Sequence, residues 1–155
     1  MSSIFYRKKP IIGLDISRTS IKIMSIDKTR MLVHGYGSIN LDSQQNDGNS
    51  NDNVEYLAQN IKELLKNNIV GQIDSNRVAI GIPTSRTFSR TFTLPMKEEA
   101  NIISAVNLEV EQYIPAPLDS LYVDYRIINR SKDELSVLMC AAPKKMIDNM
   151  LDAAQ

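Results

Sequence analysis

Three short strand-like runs at the start of the chain, separated by polar turns of four residues, constrain the fold more than any other feature. Residues 11–16 and 21–26 are apolar and rich in β-branched side chains, which favour strands, and residues 31–41 also predict a strand. Turns this short join only antiparallel neighbours, because a parallel connection needs a crossover of about a dozen or more residues. The sequence therefore predicts an antiparallel three-strand meander.

Length and composition exclude several classes of protein. A chain of 155 residues has room for one compact domain or two small lobes. Lys and Arg total 18, as do Asp and Glu, and this neutral balance argues against a nucleic-acid binder. A single Cys and a single His exclude a disulfide framework and a multi-cysteine or His-rich metal site. No apolar run reaches the roughly 7–15 residues of a signal peptide or the about 20 of a membrane helix.

The composition changes sharply after the third run. Residues 43–51 carry no apolar side chain, so they bury too little surface to offset the entropy of ordering. We therefore expect a mobile polar loop over residues 42–53. An amphipathic helix is predicted after it, and residues 78–82 are predicted to form a buried strand that Pro83 stops.

The second half of the chain has a different order of elements. Residues 86–94 alternate between apolar and polar side chains and predict a half-buried strand. A helix is expected from Pro95 to Tyr113, where the sequence Ile-Pro-Ala-Pro must end it. Residues 121–128 and 135–142 predict a hairpin, in which Cys140 is expected to be a small buried side chain. A last helix follows.

The first turn carries the residues best suited to chemistry. Asp15 stands at the end of one strand, a small-residue turn follows, and Lys22 lies on the next strand. The N–H groups of such a turn can form an anion-binding concavity. Lys22 would supply a point charge, and Asp15 would hold a magnesium ion through water. An Asp and a Lys flanking a hairpin turn are also common in proteins without such a site, so both interpretations stay open.

The end of the second helix is another candidate surface. Residues 111–119 combine two prolines with bulky apolar side chains. They predict either a local stop that packs on its own lobe or the wall of a peptide groove.

Several segments together resemble one known family. Gly13–Ser17 with Ile21–Ile23 is similar to the first phosphate motif of actin-like ATPases. Glu109–Asp119 with Val123–Arg126 resembles the more specific stretch of the PilM family, which reads Tyr-Ile-Pro, then Pro-Leu-Asp, then Asp-Tyr. Val137–Lys144 resembles the strand and helix start that follow. The chain is thus similar to the PilM family of type IV pilus assembly proteins, which is related to FtsA.

The resemblance implies an α/β fold in two parts. Residues 1–83 would form the first part of an actin-like, ribonuclease H-like lobe that contains the meander. Residues 84–155 would form an inserted small α+β subdomain of the FtsA and PilM type. The remainder of the actin-like fold would then belong to a longer protein, of which this chain is expected to be the N-terminal part.

The resemblance also implies a nucleotide site, with ATP and magnesium bound by the full-length protein. By motif, its phosphate-binding residues are Asp15, Ser17, Arg18, Thr19, Ser20 and Lys22. Ser17 stands where the family usually has a glycine, the residue that allows the closest approach to a phosphate. The second phosphate motif and the adenosine-binding segment would lie C-terminal to this chain. We therefore expect this chain alone to bind ATP weakly or not at all and to be inactive, and the full-length protein to be at most a slow ATPase.

The implied partner is the N-terminal peptide of a PilN-like inner-membrane protein, in a groove flanked by Pro83, Thr84 and Ser85. The protein would be cytoplasmic and would reach the inner-membrane pilus platform only through partners, without binding nucleic acid. The alternative is an FtsA-like cell-division scaffold, and an actin-like sugar kinase fits less well. Oligomeric state stays open, a homo-oligomer included.

Overall fold

The computed structural model describes residues 11–27, 29–46 and 52–155, and only the backbone of residue 52. The chain divides into two compact units. The first comprises the residues up to Pro83 together with Asn149–Gln155, and the second comprises Thr84–Asp148. The region expected from the resemblance, residues 84–155, therefore differs from the second unit at its C-terminal end.

Both units contain strands and α-helical segments. The strands are β1 (Ile12–Ile16), β2 (Ser20–Asp27), β3 (Leu32–Asn40), β4 (Ile69–Gly71), β5 (Val78–Gly81), β6 (Phe88–Pro95), β7 (Leu121–Arg130) and β8 (Glu134–Pro143). The α-helices are α1 (Asp52–Asn67), α2 (Ile102–Tyr113) and α3 (Lys144–Ala153). Short 3-10 turns cover Thr84–Arg86, Met96–Asn101 and Leu118–Ser120.

The first unit contains a mixed five-stranded sheet in the order β4-β3-β2-β1-β5. Strands β1, β2 and β3 are antiparallel neighbours, which confirms the predicted meander, and β5 pairs with β1 in parallel. One row of paired residues crosses the whole sheet and comprises, in order, Gly71, Gly35, Ser25, Ile12 and Val78. The predicted strand over 78–82 exists, but it is not buried: within the described part of the chain it is an edge strand that pairs only with β1, and its side chains are exposed or half-buried.

The two faces of this sheet differ in burial. On β1 the side chains of Ile12, Leu14 and Ile16 are buried, whereas Gly13 and Asp15 point to the exposed face. Helix α1 contacts β3 and β4, and it buries an apolar stripe formed by Leu57, Ile61 and Leu64. Period-two strands and a helix of period 3.6 thus share one apolar core, and the opposite face of the sheet stays open.

Glycines allow the strand β4 to pass close to β3. A Cβ atom added at Gly37 would lie 2.2 Å from the carbonyl oxygen of Asn68, and one added at Gly71 would lie 2.3 Å from that of His34. Gly71 also has a φ of +86°, which glycine adopts without strain. This side of the sheet therefore depends on close backbone approach.

The polar segment after β3 includes an ordered turn. Residues 43–45 form the turn, and Asn46 is buried at 4% exposure. Residues 52 and 53 belong to α1, so the helix begins inside the predicted loop. The mobility expected for 42–53 stays a prediction, and residues 47–51 lie outside the described residues.

The second unit is an antiparallel sheet in the order β6-β8-β7. Its apolar core is formed by Phe92, Ile102, Val106, Val110, Ile114, Leu121, Leu135, Val137, Met139 and Ala141. Three of these residues come from α2, which therefore packs on one face of this sheet. Cys140 lies on the other face and is exposed, so its predicted burial is wrong: the side-chain alternation of β8 gives the core positions to its neighbours Met139 and Ala141.

The predicted helix from Pro95 to Tyr113 is two elements. Residues Met96–Asn101 form a 3-10 segment, and α2 begins only at Ile102. The helix ends where the prolines require, because Ile114 is extended and its N–H donates to the carbonyl of Val110 at 2.8 Å. Within the described residues, no helix is long and apolar enough to span a membrane.

Candidate functional site

The candidate site is the turn between β1 and β2 together with the strand ends that flank it. Asp15 and Lys22 are directly paired across the two strands. Directly opposed residues on antiparallel strands have Cβ atoms about 4.5–5.5 Å apart. The turn therefore brings a carboxylate and an ammonium group to one exposed face.

Neither charge is used internally. Among the described residues, no ion pair or side-chain hydrogen bond involves Asp15 or Lys22, and both are exposed. Lys22 can therefore pair with a phosphate oxygen, which carries the opposite charge. Asp15 keeps its carboxylate oxygens available as ligands for a hydrated magnesium ion, a cation that usually retains several waters and takes only one or two carboxylates. The donor set present thus fits a magnesium-bound phosphate group.

Gly81 is the third component of this site. It pairs with Asp15 in the parallel register of β5 and β1. A Cβ atom at this position would lie 3.4 Å from Asp15 Oδ1, at the short end of ordinary van der Waals contact, so Gly81 lies directly beside the carboxylate. Asp15, Lys22 and Gly81 line one end of a groove of about 990 Å³ on the open face of the sheet.

Ser17 forms hydrogen bonds across the turn to Ser20. Its hydroxyl accepts a hydrogen bond from the N–H of Ser20 at 3.1 Å and lies 3.0 Å from the Ser20 hydroxyl. The Ser17 N–H donates to the Ser20 carbonyl at 2.9 Å. The serine at the position of the family's usual glycine therefore makes bonds within the turn that glycine could not make.

Asn46 backs the same turn and was not singled out in the sequence. Its Nδ2 donates to the carbonyl oxygens of Ser17 and Arg18, at 2.9 and 3.1 Å. A lone Asn in a tract of polar residues carries no sequence signal that distinguishes it from its neighbours. Gly81 was visible as part of a strand, but its position beside Asp15 depends on a long-range pairing.

The residues expected to flank a peptide groove lie where one unit ends and the next begins. Pro83 ends the N-terminal segment of the first unit. Thr84 and Ser85 begin the second unit, in an exposed 3-10 turn. These residues are not part of the turn between β1 and β2. Their role as a groove wall stays a prediction.

The corner, which comprises residues 111–119 at the end of α2, lies beside one arginine. The Arg90 Nε lies 3.3 Å from Glu109 Oε2, and its guanidinium carbon lies 3.6 Å from the centre of the Tyr113 ring. Ile114 is buried in the core of the second unit. The corner is therefore held on its own unit, as the first of the two interpretations expected.

A family model described as "Type IV pilus assembly protein PilM" matches residues 13–155. The match covers the turn between β1 and β2, the end of α2 and the last helix. The chain belongs to the PilM family.

Solved structures extend this PilM assignment to the fold. A chain of the "PilM-PilN type IV pilus biogenesis complex" matches 94% of this chain with a TM-score of 0.79 and 20% identity. The cytoplasmic domain of EpsL, an inner-membrane component of the type II secretion system of Vibrio cholerae, matches 92% with a TM-score of 0.57 and 11% identity. A Bacteroides thetaiotaomicron protein with an actin-like ATPase fold and unknown function matches 94% with a TM-score of 0.51 and 12% identity.

These matches support the α/β, actin-like class expected of a PilM protein. The present chain spans 44% of the length of the matched chain in the PilM–PilN complex, and about half of the other two. The likeness establishes the fold, whereas nucleotide binding, peptide binding and cellular location belong to the proposed function.

Proposed function

We propose that this chain is part of a cytoplasmic, nucleotide-dependent scaffold of type IV pilus assembly that binds the N-terminal tail of a PilN-like inner-membrane protein. The observation that carries this proposal is the PilM family match over residues 13–155. The fold match to a chain of a PilM–PilN complex supports the choice of partner. The protein would sit at the inner membrane through its partners.

The nucleotide part of the proposal rests on the phosphate turn. Asp15 and Lys22 are paired, exposed and free of internal ion pairs among the described residues. In this proposal Lys22 binds a phosphate oxygen, and Asp15 orients the water shell of a magnesium ion. When bound, the metal would neutralise phosphate charge. The turn residues Ser17, Arg18, Thr19 and Ser20 would surround the phosphate.

Titration calorimetry of the full-length protein with Mg·ATP tests this part. Lys22→Ala removes a charge-assisted contact worth about 1.5–3 kcal/mol, so affinity should fall by roughly 10- to 100-fold. Lys62→Ala is the matched control, because Lys62 is an exposed lysine on α1 away from the turn. Equal affinities of the two variants would contradict the assignment of Lys22. The 155-residue chain alone should bind weakly or not at all, and micromolar affinity would contradict that expectation.

A fluorescence polarisation assay tests the partner. The probe is a labelled synthetic peptide with the N-terminal sequence of a PilN-like protein, the proposed partner. We expect the peptide to bind this chain, and a double substitution of Thr84 and Ser85 by bulky residues should weaken it. Thr91→Tyr, on an exposed position of β6, serves as the control. No polarisation change under conditions where the full-length protein binds would count heavily against a peptide groove in this chain.

A further inference from the structure

We propose that Asn46 is the positioning residue of the phosphate turn, turning the N–H groups of Arg18 and Thr19 outward as a pair that binds a phosphate oxygen. This inference rests on the proposed nucleotide function, and it names which backbone groups of the turn meet the ligand. The ligand class is the phosphate chain of a nucleotide.

The first step is the contact of Asn46 with two successive carbonyls. Its side-chain amide is buried at 4% exposure and donates from Nδ2 to Ser17 O at 2.9 Å and to Arg18 O at 3.1 Å. One NH₂ group has two hydrogens, so it can serve both acceptors at once. Two consecutive peptide planes are therefore held from the same side.

The second step follows from peptide geometry. The described chain has no cis peptide bond. In a trans peptide the carbonyl of one residue and the N–H of the next point in opposite directions. Because Asn46 holds the carbonyls of Ser17 and Arg18, the N–H groups of Arg18 and Thr19 point away from Asn46 together. Successive N–H groups aimed at one side form the concavity that binds anions.

The third step is the fate of the other groups in the turn. The Thr19 carbonyl accepts from the N–H of Leu41 at 2.8 Å, and the Ser20 N–H is taken by the Ser17 hydroxyl. Among the described residues, the N–H groups of Arg18 and Thr19 donate to no acceptor. Every backbone N–H and carbonyl group of residues 17–20 thus has a hydrogen-bond partner, except the N–H groups of Arg18 and Thr19 that Asn46 turns outward.

The fourth step is the support behind Asn46. Its Oδ1 accepts from the Nδ2 of Asn53 at 3.1 Å, and Asn53 is 1% exposed in the first turn of α1. Because Oδ1 is engaged by this donor, Nδ2 is the atom that faces the turn. The Asn46 amide is bonded through both its oxygen and its nitrogen, so it is costly to reorient, since each lost bond leaves a buried polar atom unsatisfied. The helix α1 therefore sets the orientation of the phosphate turn through two asparagines.

The test uses the full-length protein, Mg·ATP, calorimetry and amide NMR. In the wild type, the Arg18 and Thr19 amide signals should shift on addition of Mg·ATP. Asn46→Ala should lower affinity about tenfold or more, because the N–H pair is no longer oriented. Asn46→Asp keeps the shape and the acceptor for Asn53 but has no N–H to donate, so it should lose affinity similarly. Asn60→Ala is the control, because Asn60 donates to the carbonyl of Tyr56 within α1 and not to the turn. The affinity of this variant for Mg·ATP should stay within about twofold of the wild type.

Each outcome decides a separate point. If the wild type does not bind Mg·ATP, the proposed nucleotide function fails and this inference fails with it. If the wild type binds but both Asn46 variants bind within about twofold of it, only the role of Asn46 is overturned. If an Asn46 variant does not fold, as judged by its melting curve, the wild-type spectra decide: ATP-induced shifts that spare Arg18 and Thr19 overturn the inference.

Discussion

The two units of this chain differ in what they bury. Among the described residues, the buried polar side chains all belong to the first unit: Ser25, Asn46, Asn53 and Asn149. The buried cluster of the second unit consists of ten apolar residues from three strands, α2 and the residues beside them. Apolar burial is non-directional, whereas a buried amide fixes the backbone groups to which it bonds. In the first unit, the buried amide of Asn46 thus holds the backbone carbonyls of the turn between β1 and β2 through directional contacts.

The comparison predicts that the second unit is most sensitive to loss of apolar volume. Leu135→Ala removes a side chain at 0% exposure from β8, which should cost about 2–5 kcal/mol of unfolding free energy. Leu138→Ala is the control on the same strand, because Leu138 is 37% exposed on the opposite face and should cost less than about 1 kcal/mol. Urea unfolding followed by circular dichroism measures both. Equal losses would break the distinction between the two faces.

The first unit should instead be most sensitive to added atoms at its close backbone approaches. Gly37→Ala places a Cβ 2.2 Å from a backbone oxygen, which cannot swing away as a side chain can, and should cost about 1–3 kcal/mol. At Gly13 the nearest atom to an added Cβ is Met24 O at 3.8 Å, so Gly13→Ala should leave stability nearly unchanged. The same urea assay compares the two variants. A harmless Gly37→Ala would mean that β4 moves freely against β3.

The smallest expected effect concerns a carboxylate that holds a turn of the first unit. The N–H groups of Arg30 and Thr29 donate to Asp27 Oδ1 and lower the pKa of this carboxyl below its ordinary value of 3.8. A folded-state pKa below the unfolded one means that this stabilisation is present above pH ~3.8 and is lost as pH falls through the folded pKa. The stability difference between the wild type and Asp27→Asn, which keeps an acceptor that does not titrate, should therefore change only in acid. A carboxyl ¹³C titration that gives a pKa at or above 3.8 would rule this out.

Sequence reasoning reached the features that depend on local pattern. The meander was predictable because turns of four residues leave only antiparallel pairing. The end of α2 was predictable from Pro115 and Pro117. The pairing of Asp15 with Lys22 follows from the same short turn, which fixes both residues on one face.

Features set by contacts distant in sequence were not predictable. Strand β4 has three residues and depends on glycines that admit it beside β3. The 3-10 start before α2 has its first N–H bound to the Asp133 carbonyl at 2.8 Å, a partner far along the chain. Asn46 was placed in a polar stretch on composition, and composition does not show that a single buried amide can find three bonding partners.

The row of paired residues across the first sheet has a consequence for the connection between β4 and β5. Gly71 and Val78 stand at opposite ends of that row, four strand spacings apart, which is about 19 Å. The steps from residue 71 to residue 78 reach at most about 23–25 Å when the chain is fully extended. Residues 72–77 are therefore a tether with about 4–6 Å of slack, less than the reach of two residues. Shortening it by two residues would leave a reach of about 18 Å, too little for the span, and β5 would have to slip along β1. Because that slip would carry Gly81 away from Asp15, the length of an unremarkable connection sets the geometry of the site.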